Sequence, residues 1–205
     1  MSQIGTIQRR VQTIFFDIGR ARNIWDELNS DAFTLANALV NSKIQQRYAE
    51  DVAYWHPALT QALPDIRERH EQKLETRIND TNDALIMLTT KMHTQLSKME
   101  NLVNQLQDNY KRLVELHGND FADSKPLYAT CPLLIFVERA NNMLNMYRAE
   151  YKAKESLVST TGLRSCKSND EGLVLLSLWL NQPNLRTKEL KDLDELCDIE
   201  MAVMN

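Results

Sequence analysis

A regular spacing of apolar residues between Leu74 and Leu116 places the strongest constraint on the fold of this chain. Alternating steps of four and three residues from Leu74 meet an apolar side chain at every position except Thr81, Gln95 and Asn109. The seam covers about six heptads, which is the pattern of a long helix packed against other helices. No Gly or Pro interrupts it. The sequence therefore predicts one continuous coiled-coil helix at the centre of the protein.

Residues suited to helix termini mark both ends of this helix. Pro64 and Asp65 fit the first turn, because proline lacks an N–H that would have no partner there and a carboxylate is favoured at the positive end of the helix dipole. His117 and Gly118 fit the last turn. At a rise of about 1.5 Å per residue, a helix over residues 64–118 reaches roughly 80 Å. Other helices must therefore cover its seam.

Apolar spacing also predicts a pair of helices before the long one. The first covers residues 4–28 and ends at a polar break, residues 29–31 (Asn-Ser-Asp), whose side chains suit a helix cap. The second covers residues 31–54 and leads through a connection into the long helix. Residues 1–63 are therefore predicted to be an N-terminal helix pair.

Further helices are predicted in the C-terminal part of the chain, residues 130–205. The first of them opens near Pro132, with Thr130 available as its cap, and ends before Gly162. The last is amphipathic and ends near Val203. The segment between Gly118 and this part carries turn-forming residues and is predicted to be a loop.

A short and very apolar helix lies between these two. Ser168, followed three residues later by Glu171, forms a capping box that marks a helix start. From Leu173 to Leu180 the side chains are apolar on almost every side. A helix of this kind is either buried all round or docks onto another protein.

The predicted fold class is all-α. Two helices of roughly 25 residues before the long one, and the helices after it, are expected to lie along it as an elongated antiparallel bundle. Strand signals are absent, and residues 1–205 are interpreted as a single elongated helical domain.

The charge of the chain argues against nucleic-acid binding. Lys and Arg number 24 against 28 Asp and Glu, which gives a net charge of −4. No basic face alternates with aromatic residues, so direct binding to DNA or RNA is expected to be weak. The charges are nevertheless uneven: the start is basic and the tail after Asn184 is acidic. The two ends complement each other or two different partners, or they are simply solvated surface.

Catalytic and metal-binding patterns are missing. The glycines stand apart and none precedes a Lys-Ser or Lys-Thr pair, so no phosphate loop is present. The histidines have no Cys or His partner at zinc-ligand spacing. Three scattered cysteines and no apolar run of transmembrane length indicate an intracellular, soluble protein. We therefore expect a protein that is not an enzyme and needs no cofactor or metal.

Two stretches resemble the signatures of a known family. Residues 25–37 (Trp-Asp-Glu-Leu-Asn-Ser-Asp-Ala-Phe-Thr-Leu-Ala-Asn), with Lys43 and Ile44, resemble the N-terminal signature of the cyclin-dependent-kinase-two-interacting protein family, called CINP. Residues 145–150 (Asn-Met-Tyr-Arg-Ala-Glu) and 175–183 (Leu-Leu-Ser-Leu-Trp-Leu-Asn-Gln-Pro) resemble its C-terminal signature. A departure is Cys131, where the family carries a tryptophan.

The resemblance implies a nuclear, non-catalytic adaptor, with the cytoplasm as a second location. It implies association with cyclin-dependent kinase, replication origins and the checkpoint kinase partner ATRIP. It also implies pairing with an AIRIM-like helical protein in a complex around an AAA+ ATPase hexamer of the spermatogenesis-associated class, which acts in ribosome maturation and DNA replication. The alternative is a self-associating coiled coil that forms a homodimer through the seam from Leu74 to Leu116, with Thr81, Gln95 and Asn109 fixing the register.

The signatures and the apolar helix together suggest partner-binding residues. The predicted set is Trp25, Leu28, Phe33, Tyr147, Arg148, Leu176, Trp179 and Leu180. Trp179 has two interpretations: an aromatic anchor for a partner, or a core residue of the bundle.

Overall fold

The computed structural model describes residues 3–202, and helices dominate these residues, with no strand among them. The helices are α1 (Gln3–Glu50), α2 (Pro57–Ala62), α3 (Ile66–His117), α4 (Asn119–Ser124), α5 (Leu133–Val158), α6 (Asn169–Asn181) and α7 (Thr187–Met201). Short 3-10 turns, Val52–Tyr54 and Leu163–Ser165, precede α2 and α6. The all-α class and the long central helix are confirmed. The predicted end of the last helix at Val203 lies outside the described residues.

The apolar seam of α3 is covered within the chain. Leu74, Ile78, Leu85, Met92, Met99, Leu102, Leu106 and Leu113 are all buried. The helix ends at His117, and the next residue, Gly118, has a φ of 84°, in the left-handed region that favours glycine. The chain continues directly into α4, so the prediction of a loop from residue 119 onward was wrong for its first six residues, Asn119–Ser124.

The predicted break between two N-terminal helices was wrong, because α1 is continuous through residues 29–31. The buried stripe of the first half keeps its phase across this point, from Trp25 through Asn29 and Ala32 to Ala36. Asn, Ser and Asp are only mildly unfavourable in a helix interior, and tertiary packing overrides such preferences. Asn29 is buried there as part of the stripe, and its backbone carbonyl accepts a hydrogen bond from Trp179.

The boundaries predicted for the C-terminal helices are close to those observed. α5 begins at Leu133, directly after Pro132. The capping box of α6 is confirmed: the Ser168 hydroxyl accepts a hydrogen bond from the Glu171 N–H at 3.2 Å. The Glu171 carboxylate in turn accepts one from the Lys167 N–H at 2.7 Å. Thr130 does not cap α5, because its side chain and N–H bind Glu200 instead.

The chain forms two compact units. The first comprises the described parts of Met1–Trp25, His93–Tyr151 and Pro183–Asn205, and the second comprises Asp26–Met92 and Lys152–Gln182. That they form one elongated domain stays a prediction.

Aromatic pairs and one ion pair join the elements of the first unit. The rings of Phe15 and Phe136 lie 5.8 Å apart, and those of Trp25 and Tyr147 meet edge to face at 5.2 Å. The basic start and the acidic tail meet here, because the Arg22 guanidinium binds both carboxylate oxygens of Asp194, with the Nη2–Oδ2 distance at 3.0 Å. The interpretation that the two ends complement each other is confirmed for this pair.

A single apolar cluster holds the second unit together. It joins α1, α3, α5 and α6 through Ala32, Ala36, Leu39, Val40, Ile78, Leu85, Leu157, Leu163, Cys166, Leu176 and Trp179. The long helix is therefore packed against three others in this unit.

A buried carboxylate fastens α7 to the turn before α5. Glu200 accepts hydrogen bonds from the N–H groups of Ala129, Thr130 and Cys131 at 2.9–3.1 Å. It also accepts one from the Thr130 hydroxyl. Burial alone would raise the pKa of Glu200, but these donors outweigh it and hold the pKa below its ordinary value.

Serine-to-alanine changes test the continuity of α1. Ser30→Ala should raise the free energy of unfolding by about 0.5 kcal/mol, because alanine is the better residue in an exposed helix interior. Ser168→Ala is the matched control and should lower it by about 1 kcal/mol, because it removes a helix cap. Urea denaturation followed by circular dichroism measures both. A loss of stability in Ser30→Ala would mean that a helix begins at this residue.

Glu200→Gln tests the buried carboxylate. We expect it to lower the free energy of unfolding at neutral pH by about 2 kcal/mol, because charged acceptors form stronger hydrogen bonds. A depressed pKa stabilises the fold fully above the unfolded value of about 4.3, and this contribution is lost as the pH falls through the lower folded pKa. The difference in the free energy of unfolding between Glu200→Gln and the parent protein should therefore become smaller at acid pH. The control is Glu195→Gln, at an exposed residue of α7. Its free energy of unfolding should equal that of the parent protein at neutral pH.

Candidate partner-binding surface

Helix α6 is held against the second unit by one side only. Its buried residues are Gly172, Leu176 and Trp179. A Cβ at Gly172 would lie 2.6 Å from Val40 Cγ1, so the absence of a side chain there allows α6 to approach α1 closely. The sequence left open whether this helix is buried all round or docks elsewhere, and the structure buries one side.

Trp179 is the residue that fixes this orientation. Its side chain is 0% exposed, and its indole N–H donates a hydrogen bond to the Asn29 carbonyl at 3.3 Å. The buried Lys154 ammonium donates to the Trp179 carbonyl at 2.9 Å and lies 4.5 Å from the centre of the indole ring. The ring thus stabilises a charge that burial would otherwise disfavour. Trp179 occupies the core, as one of its two predicted interpretations requires.

The opposite side of α6 exposes four large apolar residues. Leu173 is 64% exposed, Val174 60%, Leu178 43% and Leu180 51%. At about 100° per residue these four fall within one sector of the helix, together with the small, exposed Ser177. We call these four residues the α6 apolar face. Scattered apolar residues are normal on a protein surface, but four on one helix face are typical of an interaction site.

The predicted partner-binding residues are divided between the two units. In the first unit, Trp25 and Tyr147 are buried against each other. Arg148 is exposed there and pairs with Glu100, the Nε–Oε1 distance being 2.7 Å. In the second unit, Phe33 is half-buried against the apolar cluster. Whether these residues bind a partner stays a prediction.

The remaining three predicted residues lie in the second unit. Leu28 is half-buried and Leu176 is buried, while Leu180 belongs to the α6 apolar face. Sequence reasoning did not select Leu173, Val174 and Leu178 for binding. Their apolar character was visible, but a helix that is apolar all round does not reveal which side the core takes.

Metal-ligating side chains, cysteine thiols and apolar helices are the remaining candidates for a functional site in the described residues. Between residues 3 and 202, no group of three or more His, Cys, Asp or Glu side chains is placed to hold a metal ion. Burial raises the pKa of Cys197 to about 12 and also raises that of Cys166, so both thiols stay protonated at neutral pH and are poor nucleophiles. Within the same residues no helix has the length and apolar composition needed to cross a membrane.

Two substitutions separate the core role of Trp179 from a binding role. Trp179→Ala should lower the free energy of unfolding by about 3–5 kcal/mol, because it empties a large buried volume and exposes Lys154 to a cavity. Trp179→Phe keeps an aromatic ring in the core and should lower the free energy of unfolding much less. Urea denaturation checks both changes. A stable Trp179→Ala variant would contradict the core placement.

Comparison with known proteins agrees with the two sequence signatures. No family model matches this sequence. The chain is 26% identical over 175 residues to the Cyclin-dependent kinase 2-interacting protein of Homo sapiens, covering 84% of this chain and 79% of the human protein. It is 27% identical over 162 residues to the protein of the same name from Xenopus laevis, covering 78% of this chain and 72% of that protein. The similarity runs through the chain well beyond the two signatures, and it confirms the resemblance of this protein to the cyclin-dependent kinase 2-interacting protein family.

Proposed function

We propose that this protein is a non-catalytic helical adaptor that binds a helical partner protein through the α6 apolar face. The proposal rests mainly on the exposure of the α6 apolar face, which consists of Leu173, Val174, Leu178 and Leu180. The other side of the same helix is buried in the core. The names of its relatives, which are interacting proteins, agree with a role in protein binding.

The buried side of α6 favours a role in binding. Trp179, Leu176 and Gly172 hold the helix in place, so little further ordering of the backbone is needed when a partner binds. Covering four half-exposed Leu and Val side chains contributes roughly 1 kcal/mol each. A row of aliphatic side chains on a helix is the surface that a second amphipathic helix or a helical groove recognises.

The proposed partner is an AIRIM-like helical protein. Through it the adaptor is proposed to join an AAA+ ATPase hexamer of the spermatogenesis-associated class, in maturation of the large ribosomal subunit and in DNA replication and its checkpoint. A cyclin-dependent kinase and ATRIP are further proposed partners, and the nucleus is the proposed location. The family resemblance supports these assignments, and the names of the relatives support the kinase interaction.

The alternative function is a structural homodimer joined by the α3 seam. Burial of the seam within a single chain argues against it, because residues from Leu74 to Leu113 already have neighbours. Leu116, which is 38% exposed, is the most open apolar position of the seam. Too little of the seam is left for a second copy.

The test compares two double variants in binding to the purified AIRIM-like partner. Leu173→Gln with Val174→Gln should weaken binding at least about tenfold, because about 1.4 kcal/mol of apolar contact is lost. The control is Met87→Gln with Ile199→Gln, which changes residues of similar exposure outside α6 and should leave affinity unchanged.

Isothermal titration calorimetry gives the affinities, and circular dichroism checks that every variant folds. Sedimentation velocity of the unmodified chain alone addresses the alternative. Equal affinities for the two double variants would remove α6 from the interface, and a dimer of the chain alone that resists dilution would favour the homodimer.

A further inference from the structure

A groove with a cavity volume of about 690 Å³ runs between α1 and α3 in the first unit. Ile14 and Leu102, both largely buried, form its apolar floor. Its polar lining includes Arg9, Arg10 and Arg112, which are exposed. We call this site the arginine groove. It lies outside the unit that carries the α6 apolar face, so the inference below does not depend on the proposed function.

The arginine groove carries uncompensated positive charge. The acidic residues in its lining have cations of their own: Asp17 lies 4.0 Å from Arg20, and Asp108 lies 3.3 Å from Lys111. Among residues 3–202, Arg10 and Arg112 form no ion pair. Two guanidinium groups thus line the groove without a counter-charge, in a chain whose net charge is −4.

A buried polar atom also lies in the groove wall. Asn109 is 9% exposed, and its side-chain amide donates a hydrogen bond to the Gln105 carbonyl at 2.7 Å. Its Oδ1 atom is buried and has no hydrogen-bond partner within the described residues. An unpaired buried acceptor is unfavourable. Asn109 is one of the polar positions that interrupt the α3 seam, where polar residues fix the register of helix packing.

We propose that the arginine groove binds an acidic amphipathic helix of a partner protein. Its carboxylates pair with Arg10 and Arg112, and a short apolar row rests on the floor. The α1 wall from Thr6 to Asp17 measures about 17 Å, which matches three turns of helix. Guanidinium groups suit carboxylates because they donate two parallel hydrogen bonds.

A helical peptide fits the arginine groove better than a nucleic acid does. Asp17 and Asp108, although each has a cation of its own, interrupt the positive charge of the lining, so it does not match a continuous row of phosphates. The negative net charge of the chain also opposes the approach of a polyanion. An acidic helix carries fewer negative charges and can place its carboxylates one or two turns apart, opposite Arg10 and Arg112.

The probe is a fluorescein-labelled, capped, alanine-based helical peptide of about four turns, with leucines on one face and glutamates beside them. Fluorescence anisotropy measures its affinity for the full chain. The matched peptide has lysine in place of each glutamate. We expect the acidic peptide to bind at least about tenfold more tightly than its lysine counterpart, a difference of about 1.4 kcal/mol, and its affinity to fall as salt rises.

Charge reversal locates the site. Arg10→Glu with Arg112→Glu should weaken binding of the acidic peptide at least about tenfold. Arg67→Glu with Arg77→Glu makes the same change in net charge at exposed arginines of α3 in the second unit and should weaken it far less. All four positions are exposed, so the fold should survive, and circular dichroism checks this.

Three results of the peptide measurements would overturn the proposal. They are equal affinity for the acidic and basic peptides, equal losses in the two double variants, and no binding of the acidic peptide at millimolar concentration. A duplex DNA oligonucleotide serves as the competitor. Displacement of the peptide by DNA at a lower concentration than unlabelled peptide requires would assign the arginine groove to nucleic acid instead.

Discussion

Burial of the α3 seam is the constraint on which the rest of this fold depends. A helix of this length, polar on its other faces, gains most of its stability from packing rather than from intrinsic propensity. In the second unit the cover comes from α1, α5 and α6, which share one apolar cluster with Ile78 and Leu85. In the first unit polar contacts join α3 to α5, where Gln107 binds Asn141 and Glu100 pairs with Arg148. Most apolar positions of the seam are therefore covered by other helices of the same chain.

The orientation of α6 depends on a polar interaction inside that core. A buried ammonium is costly unless it has partners, and Trp179 supplies two of them through its carbonyl and its ring. If α6 were rotated about its axis, Trp179 would leave both Lys154 and the Asn29 carbonyl. The core thereby selects one of several almost equally apolar sides. Because that side of α6 is buried, the opposite side, which carries Leu173 and Val174, is exposed to solvent.

Sequence reasoning succeeded where periodicity is strong and failed where a local preference opposed packing. The C-terminal end of α3 and the cap of α6 followed from residues whose physical roles are local, such as Gly118 and Ser168. Pro64 and Asp65, predicted to lie in the first turn of α3, instead precede its start at Ile66. The break at residues 29–31 was wrong, because capping residues do not end a helix whose buried stripe continues on both sides. The exposed side of α6 was beyond prediction, since it depends on Lys154 and Asn29, which are distant in sequence.

The two proposed surfaces bind through different interactions, so experiments that vary the salt concentration can distinguish them. The α6 apolar face depends on buried area, so its affinity for a partner should respond little to salt. The arginine groove depends on exposed guanidinium groups such as those of Arg10 and Arg112, whose attraction is screened within about 10 Å at 0.1 M salt. The surfaces belong to different units of the chain. Under the two proposals the chain binds one partner by apolar contact and a second by charge, and only the second interaction weakens markedly as the salt concentration rises.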